Sequence, residues 1–176
     1  MSLFDPAYQK TGAKEGGYVF NAKDPGGETN LGITKYVAMK NGYSGDMKLL
    51  TKEKAREIYK KEYWDGLLLD NVTDQGVAEE LFDTGVNCGQ GTSAGFIQKC
   101  LNAMNKQGTR WNDLKEDGSI GVATISALNV CLSLGYKAEL LKALNCLQGA
   151  YYIDISRRNP NLEEFIIGWF RNRVEI

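Results

Sequence analysis

Apolar residues recur at three- and four-residue intervals over most of this chain, a spacing that predicts amphipathic helices. From Thr51 to Trp64, Ala55, Ile58, Tyr59 and Tyr63 share one face, and Lys, Arg and Glu fill the other. Ala78, Leu81, Phe82 and Gly85 align between Asp74 and Asn87, ending near Gly89; Ala94, Ile97, Leu101 and Met104 align between Thr92 and Asn105. Ile125, Leu128 and Leu132 do so from Ala123 to Ser133. The longest stripe, Leu140, Leu144, Leu147, Tyr151 and Ile155, predicts a helix over 137–158 that Pro160 stops. Asn161 with Glu164 three residues on has the form of a capping box, ahead of a last helix lined by Leu162, Phe165, Ile166 and Trp169.

The N-terminal third is less regular. Phe4 to Lys14 reads as one helix ending at Gly16-Gly17, which places Glu15 in its last turn. Residues 18–33 are rich in Gly, Asn and Asp and read as a loop or a small hairpin, after which Thr34 is the candidate N-cap of a short helix stopping at Asn41-Gly42. Runs of alternating β-branched residues are absent, so the expected class is mostly α. Gly89-Gln90-Gly91 is the best internal boundary and the loop at 106–121 the second. Both are too short to be tethers, so two subdomains, 1–90 and 91–176, are expected to pack together.

Composition narrows the chemistry. The 176 residues carry 21 basic and 22 acidic side chains, and this near-neutral balance lacks the basic excess of a nucleic-acid binder. There is no histidine, which removes Ser-His-Asp and Cys-His catalysis and His-ligated catalytic zinc. Cysteines 88, 100, 131 and 146 form no C-x-x-C, so they read as small, mostly buried apolar residues of a reducing compartment, with a Cys88–Cys100 disulfide as the oxidised alternative. No metal or cofactor is expected. The N-terminus has no basic segment followed by an apolar one, and no run of about 18 apolar residues exists. The expectation is a protein made in the cytoplasm without a signal peptide or a membrane span.

The segment from Glu15 to Thr34, E-G-G-Y-V-F-N-A-K-D-P-G-G-E-T-N-L-G-I-T, concentrates the candidate chemistry. Breaking a glycosidic bond takes a carboxylic acid to protonate the leaving oxygen and, in most cases, a second carboxylate across the sugar. Glu15 is the candidate acid. A helix C-terminus and burial against Tyr18 or Trp64 would both keep it protonated; the bland alternative is a solvated glutamate. Asp24 is the candidate to orient or deprotonate water, although Asp-Pro-Gly-Gly is also an ordinary turn. Glu28 is the rival carboxylate. Thr29 is a candidate to hold the water, and Gly26 and Gly27 to let backbone approach a sugar. Tyr18, Tyr36 and Trp64 are candidate stacking platforms, against the commoner role of aromatics as core. Asn87 is a candidate partner for an acetamido group or a helix C-cap. Asp117-Gly118-Ser119 through Thr124 reads as a turn in which Asp117 or Thr124 caps a helix.

E-G-G-Y (15–18), D-P-G-G-E-T-N-L-G-I-T (24–34), Gly42-Tyr43, A-R-E-I-Y-K-K-E-Y-W (55–64) and F-D-T-G-V-N-C-G (82–89) together resemble glycoside hydrolase family 108, the N-acetylmuramidases of phage and prophage endolysins. E-D-G-S-I-G-V-A-T (116–124), R-R-N-P (157–160) and G-W-F-R-N-R (168–173) resemble the peptidoglycan-binding region that accompanies it, with Val122 where proline is common. The resemblance implies a lysozyme-like helical fold in residues 1–90 and a peptidoglycan-binding helical subdomain in 91–176. It also implies hydrolysis of the β-1,4 bond between N-acetylmuramic acid and N-acetylglucosamine, with Glu15 as the acid. The implied partner is the peptidoglycan glycan strand, reached after release from the cytoplasm with an export aid such as a holin. A more distant similarity to phage-type lysozymes, whose pattern is Glu-x8-Asp-x5-Thr, fits Glu15 and Asp24, whereas Thr29 follows one residue early. A lytic transglycosylase, and a non-catalytic wall-binding or phage structural protein, are the alternatives.

Overall fold

The computed structural model describes residues 3–12, 16–20 and 27–174. Among these the chain is mostly helical, with one small sheet. Its elements are α1 (Phe4–Lys10), β1 (Val19–Phe20), β2 (Glu28–Asn30), β3 (Ile33–Thr34), α2 (Lys35–Lys40), α3 (Lys52–Tyr59), α4 (Gln75–Cys88), α5 (Gln90–Met104), α6 (Val122–Ser133), α7 (Lys137–Arg158) and α8 (Glu163–Arg173). Two compact units result, Met1–Gln90 and Gly91–Ile176.

The first unit is organised around aromatic rings. Phe4 meets Tyr8, Trp64 and Phe82 at centroid distances of 5.5, 5.7 and 5.8 Å, and Tyr59 touches Tyr8 and Phe82. Offset and edge-on pairs of this kind add to the area they bury. Helix α1 lies along α4, tied by Leu3 to Gln75, by Lys10 to Glu79 and by the Thr11 hydroxyl to Asp83. It ends at Lys10 instead of reaching Lys14, because Thr11 turns its hydroxyl to Asp83 and Gly12 follows.

Helix α3 starts as expected on Thr51, whose hydroxyl accepts from the Lys54 N–H. Past Tyr59 the chain widens into a π-helical turn, Lys60–Asp65. Gly66 makes that widening possible. A methyl there would sit 2.4 Å from the Glu62 carbonyl oxygen and 2.6 Å from the Gln90 amide oxygen. The Tyr63 hydroxyl, sunk in this turn, is pushed up to about 12 by burial and then by Glu62.

The second unit buries Ile97, Leu101, Leu128, Leu140, Leu144 and Tyr152, with Tyr152 stacked on Trp169 at 4.8 Å. Helix α7 runs from Lys137 to Arg158, as its stripe predicts. The capping box at Asn161 does not form. Asn159 instead accepts from the Asn161 N–H and opens a 3-10 turn, Pro160–Leu162, that leads into α8. The reason is proline: fixed at the first position of the turn, it makes the residue before it the cap.

The long connection 105–121 is fastened to α5 by a ladder of side-chain amides. Gln98 donates to the Ser119 carbonyl and the Asp117 carboxylate and accepts from the Gly118 N–H. Asn102 accepts from the Leu114 N–H and donates to its carbonyl and to Glu116. Asn105 accepts from the Gly108 N–H and donates to Asp113. Positions 98, 102 and 105 lie on one helical face. Asp117 is therefore a turn residue bonded to the Ser119 N–H and not a helix cap, and α6 begins on Gly121 without a side-chain cap. All four cysteines are free thiols, and burial pushes Cys100 up to about 12.

Candidate active site

The segment expected to be a loop or hairpin is a three-stranded antiparallel sheet in the order β1-β2-β3. Val19 pairs with Thr29 and Phe20 with Glu28; Thr29 pairs with Thr34 and Asn30 with Ile33. The two-residue turn from β2 to β3 places Leu31 at φ 50° and Gly32 at φ 72°, the type I′ geometry that matches strand twist. Leucine is costly in that conformation, and the Tyr59 hydroxyl supports it by donating to the Leu31 carbonyl at 3.2 Å.

Strand alternation sorts the candidates onto two faces. Tyr18, Phe20, Glu28 and Asn30 lie on one; Val19, Thr29 and Thr34 lie on the other. Asn30 is buried and donates to the Met47 carbonyl at 2.7 Å, and the Lys48 ammonium sits 5.2 Å from the Tyr18 ring centre. The first face therefore looks toward the Met47–Leu49 turn. On it, Glu28 accepts from Lys35 at 2.6 Å and from the Tyr18 hydroxyl at 3.0 Å. Lys35 first, and Tyr18 next, hold the Glu28 carboxyl below its ordinary value. A carboxylate so engaged is a poor proton donor and has little freedom to take up water. On the opposite face Val19 is 59% exposed beside the half-buried Thr29, and on the first face Phe20 is 62% exposed, so the faces differ in the engagement of Glu28 and not in openness.

Glu15, Asp24 and Gly26 lie outside the described residues. Gly27 enters β2 at φ 63°, a left-handed conformation suited to glycine. Tyr36 stands 74% exposed on α2, free to meet a ligand. Trp64 is not a stacking platform. It is fully buried between Phe4 and Phe82, and its indole N–H is spent on Asp70 at 2.7 Å. Asn87 neither caps α4 nor offers a free amide: the helix continues to Cys88, Gly89 is the cap residue, and Asn87 donates to the Asp83 carbonyl and carboxylate one turn back.

Two carboxylates do structural work that spacing did not reveal. Asp83 accepts from Thr11, where α1 gives way to the segment leading to Glu15, and from Asn87. Glu62, in the π-helical turn, accepts from Lys40, from Asn41 at 3.0 Å and from Gln90 at 3.0 Å. Burial alone would raise its pKa, but the Lys40, Asn41 and Gln90 donors outweigh burial and leave it below the ordinary 4.5. It thereby locks the end of α2 and the last residue of the first unit to one turn. Their only sequence signal was membership in the motifs at 55–64 and 82–89.

Residues 8–89 match the family model described as Glycosyl hydrolase 108, and residues 93–174 match the one described as Predicted Peptidoglycan domain. Among solved structures, the chain is similar to one described as the structure of Brucella abortus SagA. The two are 27% identical with a TM-score of 0.72, over 96% of this chain and 87% of that one. No curated protein matches the chain. Among the described residues no helix is long and apolar enough to cross a membrane. The chain thus joins a glycosyl hydrolase 108 domain, residues 8–89, to a predicted peptidoglycan domain, residues 93–174, and is a glycoside hydrolase that acts on peptidoglycan.

Proposed function

We propose that this protein is an N-acetylmuramidase that hydrolyses the β-1,4 bond between N-acetylmuramic acid and N-acetylglucosamine. Glu15 donates its proton to the leaving glycosidic oxygen as the bond to the anomeric carbon breaks. A water molecule held by Thr29 and Asp24 attacks that carbon from the opposite side and passes its proton to Asp24. The anomeric configuration inverts, and no step calls for a metal. Support comes from the match of residues 8–89 to a glycosidase family and from the engagement of Glu28, the rival carboxylate, by Lys35 and Tyr18. That engagement is the observation on which the choice of Asp24 over Glu28 rests.

Positioned acid–base groups contribute roughly 10²–10⁴-fold to rate. Glu15→Gln is therefore expected to lower release of reducing ends from purified peptidoglycan by at least about 100-fold, with the melting temperature unchanged. Unchanged activity would remove Glu15 from the mechanism. Product mass distinguishes hydrolysis, which adds one water, from formation of an anhydro sugar, which does not. An inverting pair also requires the Glu15 and Asp24 carboxyls to stand about 6.5–9.5 Å apart, against about 5–5.5 Å for a retaining pair.

A further inference from the structure

The second unit contains a groove of about 320 Å³ between the 111–114 segment and α6, lined by Trp111, Leu114, Ala123, Ala127 and Val130, with Asn112, Asp113 and Ser126 at its polar positions. Ala123, Ala127 and Val130 fall at helical spacing and present a floor of small apolar groups. Trp111 is a wall. Its indole N–H donates inward to the Leu101 carbonyl at 3.1 Å, so that its polar edge is turned away and carbon lines the groove. The facing segment is fixed in advance. Asn102 holds both backbone polar groups of Leu114, and Asn105 holds the Asp113 carboxylate at 2.5 Å. A preformed, mainly apolar groove with a few polar groups is the usual form of a small-ligand site, and this volume is near the low end of the range.

We propose that this groove is a subsite for one N-acetylated sugar of the glycan strand. The assignment rests on the reading of the chain as a peptidoglycan-acting protein. The acetamido methyl fits a floor of Ala123, Ala127 and Val130, and the acetamido N–H and C=O need the kind of uncommitted partners that the exposed Asn112 amide and Ser126 hydroxyl provide. Neither side chain bonds to another of the described residues. The Asp113 carboxylate beside them repels anions, which disfavours the carboxylate-bearing peptide stem as the occupant. A site of this size holds a single sugar only weakly, with a Kd on the order of 1 mM. Its use is on a polymer, where neighbouring sites act together.

The test is a titration of the full chain carrying Glu15→Gln with tetra-N-acetylchitotetraose, following backbone amide resonances. Shifts at Asn112, Ala123, Ser126 and Ala127 are expected, together with at least a tenfold loss of sacculus retention on adding Ala123→Trp, which plugs the groove from an exposed position. Asn112→Ala with Ser126→Ala removes the polar partners without adding bulk and should weaken retention in the same direction. Retention unchanged in both variants, or shifts with the stem peptide and none with the chitotetraose, overturns the proposal. The resonance shifts report occupancy of this groove whether or not the chain cleaves the oligosaccharide, so a failure here is separate from a failure of Glu15 as the acid.

Discussion

Gly118 shows how one residue carries a whole loop. It sits at φ 71°, and a Cβ there would stand 2.9 Å from the Gly91 carbonyl oxygen, while its N–H is bonded to Gln98. Alanine at this position must accept a left-handed backbone and push against another main chain at once. Gly118→Ala is therefore expected to cost about 1–3 kcal/mol in chemical denaturation, whereas alanine at Gly95, whose Cβ position is open, should cost nothing or stabilise. The residues at the site divide similarly between those legible in sequence and those that were not. Glu28 rivals Asp24 as the second carboxylate until Lys35 and Tyr18, seven and ten positions away, are seen to engage it. Trp64 looks like a sugar platform until Phe4 and Phe82, from distant parts of the chain, close over it.

At the scale of elements, apolar periodicity located the helices because each buries one stripe, and α7 matches its prediction from end to end. What periodicity missed depends on partners distant in sequence. In the π-helical turn Glu62 reaches Lys40, Asn41 and Gln90, and Gly66 leaves room for the Glu62 carbonyl and the Gln90 amide. The amide ladder pairs Gln98 with residues about twenty positions downstream, which no local window reports. The Glu62 clamp also has a pH consequence. Its folded-state pKa is depressed, so its stabilisation is fully present above the unfolded value near 4.5 and is lost as pH falls through the lower folded value. Melting temperature should therefore drop more steeply below about pH 4.5 in the parent than in Glu62→Gln, which has no titrating group there. Parallel curves for the two would place the acid lability elsewhere.

For the whole molecule, the boundary between the two compact units at residue 90 coincides with the gap between the two family matches, 8–89 and 93–174. Residues 91–176 own a continuous core from Ile97 through Leu128, Leu144 and Tyr152, and their connecting loop is fastened from within. Expressed alone, 91–176 is expected to give a helical circular-dichroism spectrum and a single cooperative thermal transition. A gradual, non-cooperative melt would show that the partition is one of sequence only.

The fastening of the 105–121 loop by neutral amides bears on where such a protein works. Wall polymer is ionic, and counterions crowd around it. Screening slackens a strap made of lysine and glutamate within a few ångströms of solvent. Gln98, Asn102 and Asn105 grip main-chain groups, and the carboxylates of Asp117, Glu116 and Asp113 that they also hold are bound by neutral amides at hydrogen-bond distance, so the shape of this surface should persist from dilute buffer to brine.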